Sequence, residues 1–181
     1  MRYLKVTVQD RIGNGRADSV LLQFYETACT PGDDILLNKA FALDFDADGH
    51  VDYKMGDVTN NGVENNADQR LLKTFANACL KLNWFNPGAS TQRYLKMFSE
   101  DSARDGSPDT ARFHFHEGPG KPTDKTLAYT AAAYDTDNNG TLDWVFHFDT
   151  DNDGDIDTDT DTVDRELVSL LSSTYLKFKW K

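Results

Sequence analysis

The chain is short of positive charge. Its 19 Lys and Arg stand against 30 Asp and Glu, a formal net charge of -11. That balance argues against nucleic acid or an anionic membrane as a partner, since both present dense negative charge. Long apolar runs are missing too: nothing approaches the roughly 20 residues that a spanning helix needs, so no membrane insertion is expected. Met1 to Asp10 has no signal-peptide apolar region. Nor is there a nucleophile elbow, a phosphate loop or a catalytic cysteine arrangement, and the chain is expected not to be an enzyme. His114 and His116 share a strand face but have no ligand partners at a telling spacing, so they are expected as surface histidines rather than a zinc site. Cysteine is scarce: only Cys29 and Cys79 occur.

What the chain does have is aspartate at regular intervals. Asp44, Asp46, Asp48 and Asp52 fall at positions 1, 3, 5 and 9 of a loop with Gly49 at position 6, and His50 at position 7 offers its carbonyl. Calcium takes six to eight oxygens at about 2.3 to 2.6 Å from this kind of spacing, with glycine at position 6 for the sharp turn. A second loop follows, with Asp57, Thr59, Asn61, Gly62, Asn65 and Asp68 at positions 1, 3, 5, 6, 9 and 12. It carries fewer charges and is expected to bind more weakly. An amphipathic helix comes next, with Leu71, Phe75, Ala78 and Leu82 on one face.

The whole pattern is written twice. Arg2-Tyr3-Leu4-Lys5 recurs as Arg93-Tyr94-Leu95-Lys96, and the same offset of 91 carries Asp10, Gly15, Asp18, Phe24 and Glu26 onto Asp101, Gly106, Asp109, Phe115 and Glu117. It also carries the strong loop onto Asp135, Asp137, Asn139, Gly140, Thr141 and Asp143. A further acidic loop follows at Asp149, Asp151, Asp153, Gly154 and Asp157. Asp164, which aligns with Asp68, either closes that loop or caps the helix, and the two roles are compatible. Both cysteines lack counterparts, Gly120 and Tyr175 standing in their places. That paired absence suggests a disulfide.

The chain therefore reads as two repeat units, 1–91 and 92–181, joined through the turn-rich segment Asn86 to Gln92. The first unit is expected as strand 3–9, acidic turn, strand 19–26, strand 38–44, calcium loop, strand 51–55, second loop, helix 68–80 and a short final strand. The ends Leu80-Lys-Leu82-Asn-Trp84 and Leu176-Lys-Phe178-Lys-Trp180 both alternate as strands do. Val51 and Tyr53, with Leu142 and Trp144, are expected to face inward. The fold class is α+β: two tandem copies of a small antiparallel sheet with Asp-rich calcium loops and one covering helix each.

A loop running into a helix in this manner resembles the dockerin half of the EF-hand family, apart from Glu64 at position 8, where that family has an aliphatic residue. The turns Asp10–Asp18 and Asp101–Asp109 look like FG-GAP loops with Ile12 and Ala103 at position 3, and are either metal sites or tight Gly-Asp hairpin turns. The resemblance is to secreted bacterial proteins and implies calcium as the bound ion and an extracellular or cell-surface location. The leading expectation is a structural protein that associates head to tail into a filament, because repeat units leave open surfaces at each end. The alternative is a calcium-dependent adhesion module for a glycan or a surface protein, using Tyr25, Trp84 or Trp180 to stack on its ligand.

Overall fold

The computed structural model describes residues 1–28, 33–86, 92–118, 122–146 and 163–180. Among the described residues, eight strands form one antiparallel sheet: β1 (Arg2–Gln9), β2 (Ser19–Glu26), β3 (Ile35–Leu43), β4 (Tyr53–Met55), β5 (Arg93–Glu100), β6 (Thr110–Glu117), β7 (Leu127–Tyr134) and β8 (Trp144–Phe146). Their spatial order is β4-β3-β2-β1-β5-β6-β7-β8. Two helices, α1 (Asn66–Lys81) and α2 (Val163–Lys177), complete an α+β architecture.

Period-two apolar patterning makes the strands and selects the buried face. Leu4, Val6 and Val8, then Val20, Leu22 and Phe24, then Ala40 and Ala42 point to one side, as do Leu95 and Met97, Phe113 and Phe115, and Ala131 and Ala133. Helix α1 covers this side of β2 to β4 and α2 that of β6 to β8, and the helices touch each other. The buried side chains merge into one cluster drawn from both halves of the sequence.

At the centre of the sheet β1 pairs with β5, Leu4 opposite Met97, Lys5 opposite Lys96 and Val6 opposite Leu95. The repeat offset carries Lys5 onto Lys96, so a pseudo-twofold axis passes between these two lysines. Directly opposed like charges destabilise a sheet. Here each ammonium is drawn aside onto a ring, Lys5 Nζ 4.4 Å from the Tyr94 centroid and Lys96 Nζ 4.6 Å from that of Tyr3. Burial lowers both lysine pKa values.

The same axis relates the segments Leu80 to Trp84 and Leu176 to Trp180, and here two expectations are corrected. Leu80 to Trp84 is not a strand: α1 runs to Lys81 and a single 3-10 turn, Asn83–Phe85, follows. Likewise α2 continues to Lys177, with a turn at Phe178 and Lys179. The alternation in both segments serves burial without strand pairing. Trp84 packs edge-on against Phe115 at 5.7 Å, while Trp180 packs against Phe24 at 5.3 Å. Since Phe24 and Phe115 are repeat counterparts, each half sends its terminal tryptophan into the other. Arg93 lies over Trp84 and pairs with Glu117 (3.3 Å), and Arg2 lies over Trp180 and pairs with Glu26 (3.8 Å).

Candidate metal centre

Among the described residues, five Asp-rich turns, beginning at Asp10, Asp44, Asp57, Asp101 and Asp135, take one conformation. In each, the first carboxylate accepts hydrogen bonds from the backbone N–H groups at positions 5 and 6, for example from Asp48 (3.3 Å) and Gly49 (2.7 Å) to Asp44, and from Asn139 (3.0 Å) and Gly140 (2.8 Å) to Asp135. The side chain at position 5 then accepts from the N–H at position 7: Asn14 from Arg16, Asp48 from His50, Asn61 from Val63, Asp105 from Ser107 and Asn139 from Thr141. This doubles the chain back sharply and forces a left-handed residue at positions 4 and 6. Position 6 is always glycine, whose missing Cβ removes the steric cost. Position 4 accepts Ala47 at φ 55° and Asn138 at φ 55°.

Two of these turns gather carboxylates tightly enough to share one cation. Oxygens of Asp44, Asp46 and Asp48 lie within 4.8 Å of one another, as do those of Asp135, Asp137 and Asp143. Asp44 and Asp135 are buried at the ends of β3 and β7, while the other four acids are exposed. The crowding has an electrostatic signature. The neighbouring Asp48 raises the Asp46 pKa, aided by desolvation and by a hydrogen bond with Asp44. A divalent cation at the cluster would reverse that repulsion.

The third member of the cluster differs between the two turns, Asp48 at position 5 in the first and Asp143 at position 9 in the second. Asp52 Oδ2 accepts from Phe45 N at 2.8 Å, and its repeat counterpart Asp143 accepts from Thr136 N at 2.8 Å and from the Thr136 hydroxyl. Those bonds lower the Asp143 pKa, the hydroxyl contributing most. In the second half Asn139 stands in place of Asp48, and its amide donates to Asp137 Oδ2 at 2.8 Å. Of the remaining predicted ligands, His50 and Thr141 are exposed at position 7 of their turns.

In the loop from Asp57, Thr59 Oγ1 lies 3.1 Å from Asp57 Oδ1 and 2.8 Å from Asp68 Oδ1, so positions 1, 3 and 12 meet. Asp68 also accepts from the N–H groups of Thr59 and Asn65, closing a capping box at the start of α1. Burial alone would raise its pKa, but these hydrogen bonds outweigh burial and lower it. Asn61 supplies the turn bond to Val63, whereas Asn65 commits its side-chain oxygen to Ala67 N as the helix cap. In the second half Asp164 is buried near the start of α2. Asp149, Asp151, Asp153 and Asp157 lie outside the described residues.

The turns at Asp10 and Asp101 place an apolar side chain at position 3. Their ninth residues, Asp18 and Asp109, are buried and each accepts two backbone N–H groups, from Arg11 and Ile12 and from Ser102 and Ala103. Each turn is tied to the neighbouring carboxylate-cluster turn, through Asp44 N to Asp18 O at 2.8 Å and Asp135 N to Asp109 O at 2.7 Å.

Two asparagines outside the predicted ligand positions hold the loops in place. Asn77, midway along α1, accepts from Val51 N at 2.8 Å, and Asn38 on β3 donates to Asp57 O at 2.6 Å and to Asn60 Oδ1 at 2.9 Å. An asparagine inside a helix is poorly suited to it, and that mismatch at Asn77 was the available signal. Other expectations change with burial. Tyr53 and Trp144 face outward, 45% and 64% exposed, because Val51 belongs to the loop and the strand parity restarts at Tyr53. Trp84 and Trp180 are core residues, not ligand-stacking ones. His116 is buried, stacked on Tyr94 with ring centroids 5.0 Å apart, not a surface histidine. Cys79 is a free thiol sealed in the core, its pKa raised by burial, and Cys29 lies outside the described residues.

Among the described residues no helix is long and apolar enough to cross a membrane. Compared with known proteins, the chain matches no family model, no curated protein and no solved structure.

Proposed function

We propose that this protein is a non-enzymatic, calcium-rigidified structural protein of the cell exterior, a duplicated unit that associates head to tail into a filament. The observation that carries the reading is the pair of carboxylate clusters at repeat-related places, Asp44/Asp46/Asp48 and Asp135/Asp137/Asp143. Each closes the end of a core strand, so a cation bound there fixes the strand end, the loop and the following edge strand together. Calcium suits the purpose better than magnesium, which holds its waters and rarely accepts an all-protein cage.

The loop from Asp57 to Asp68 adds a weaker site, and the acids from Asp149 to Asp157, with Asp164, add its counterpart. With affinities of extracellular type, about 10⁻⁴ to 10⁻³ M, calcium at about 1 mM stabilises the fold by roughly 0.4 to 1.4 kcal/mol per site. That is a stiffening function, summed over several sites, suited to a medium where calcium is constant.

The test is light scattering and calorimetry on the purified chain, with millimolar calcium and with chelator. The proposal predicts a higher melting temperature and growth into long particles with calcium. Compact monomers at high concentration with calcium would remove the filament half of the reading.

A further inference from the structure

The two edges of the sheet carry features suited to a second copy of the same chain. Among the described residues, strands β4 and β8 are the outermost, and each pairs with a neighbour on one side only. An unpaired edge is a template for strand addition, and proteins that resist this keep apolar side chains away from it. Here Tyr53 and Met55 on β4 are each 45% exposed, and Trp144 and Phe146 on β8 are 64% and 61% exposed. The register of β3 with β4 and of β7 with β8 puts all four on the face away from the helices, beside Phe41, Leu43, Ala132 and Tyr134.

Direction and register both suit a head-to-tail mode of joining. All neighbours in the sheet are antiparallel and the strands number eight, so β4 and β8 run in opposite directions. A second molecule placed alongside in the same orientation therefore meets β4 with an antiparallel β8. Aligning the strand centres sets Tyr53 opposite Phe146, Met55 opposite Trp144 and Lys54 opposite Val145. These are an aromatic pair, a sulfur–aromatic pair and an uncharged partner for the lysine. Pairing β4 with another β4 would instead set Lys54 against Lys54, which like-charge repulsion disfavours.

We infer that β8 of one molecule adds to β4 of the next, continuing one antiparallel sheet from copy to copy. The inference rests on the filament reading above and names its interface. It also gives calcium a part in assembly. The loops bracketing β4 carry Asp44, Asp46, Asp48, Asp52, Asp57, Glu64 and Asp68, and β8 follows Asp135, Asp137 and Asp143, so both edges are acidic until cations bind. A repeating contact between two different patches does not close, and generates a fibre.

Two variants of the full chain test this in millimolar calcium by size-exclusion chromatography with light scattering. One is Trp144→Lys/Phe146→Lys, which blocks β8, and the other is Tyr53→Lys/Met55→Lys, which blocks β4. All four side chains are substantially exposed, and a retained calcium-dependent rise in melting temperature certifies the fold. The expected result is that each variant alone is monomeric, while an equimolar mixture forms a species of twice the monomer mass from the one open edge on each. If either variant dimerises alone, edges pair with their own kind and the head-to-tail inference is overturned. If both variants still polymerise, the filament stands and the interface is elsewhere. If the unsubstituted chain stays monomeric in calcium, the filament reading itself fails, and this inference with it.

Discussion

Replacing Trp180 with alanine tests the exchange of tryptophans between the halves. Trp180 is 5% exposed, meets Phe24 edge-on at 5.3 Å, lies beneath the Arg2 guanidinium at 4.7 Å and donates from Nε1 to Tyr3 O at 3.3 Å. Truncating a core tryptophan costs about 3 to 5 kcal/mol, within which the aromatic pair accounts for roughly 1 and the hydrogen bond for roughly another 1. The expected loss is about 4 kcal/mol. Every one of those contacts is made to residues of the first half, although Trp180 stands at the end of the second. Urea unfolding followed by tryptophan fluorescence and near-UV circular dichroism should therefore show one transition moved as a whole. In chelator, a loss below about 1 kcal/mol, or a second half that unfolds separately while the first is undisturbed, would refute the exchanged arrangement.

Further outcomes follow from single sites. Gly56, at φ 136°, sits against β3 so closely that an added Cβ would lie 2.4 Å from Ala40 Cβ and 2.6 Å from Ala40 Cα. Gly56→Ala should cost about 3 kcal/mol or more by chemical denaturation, from strain and clash together. Acid should weaken the fold through His116, whose pKa is lowered to about 4 from the ordinary 6.5 by burial and by the nearby His114, Lys96 and Lys5. Its neutral form is favoured in the fold, so its contribution is complete above the unfolded value and is lost as pH falls from 6.5 towards 4. The loss approaches about 3 kcal/mol at full extent. His116→Gln should flatten stability across that window. Asp68→Ala should cost about 2 kcal/mol in chelator, since it removes the capping box and strands Thr59 N, whereas Glu64→Ala, exposed in the same loop, should stay within about 0.5 kcal/mol.

Much of this fold could be read from the residues because local signals agreed with the global answer. Val20, Leu22 and Phe24 alternate against Gln23 and Tyr25, and that parity alone identifies the buried face of β2. The glycine at position 6 announced each described turn. Three things were hidden. Leu80 to Trp84 alternates like a strand, yet fits equally well as the last turn of a helix and a 3-10 turn, and only the Phe115 ring from the other half decides between them. The meeting of β1 with β5 depends on the shared cluster beneath both, which no local pattern encodes. Asn65 has the right residue type and spacing for a ligand, but its oxygen is spent on Ala67 N, because capping α1 satisfies a backbone donor that nothing else reaches.

Titration of the intact, metal-free chain with calcium by isothermal calorimetry, in parallel with a chain carrying Asp44→Asn and Asp135→Asn, tests the central claim most directly. These two acids begin the two carboxylate clusters, and neither substitution changes side-chain size appreciably. The account predicts saturable binding in the native chain, loss of the tighter class of sites in the variant, and a matching loss of the calcium-induced rise in melting temperature. Equal calcium binding and equal stabilisation in both chains would contradict it.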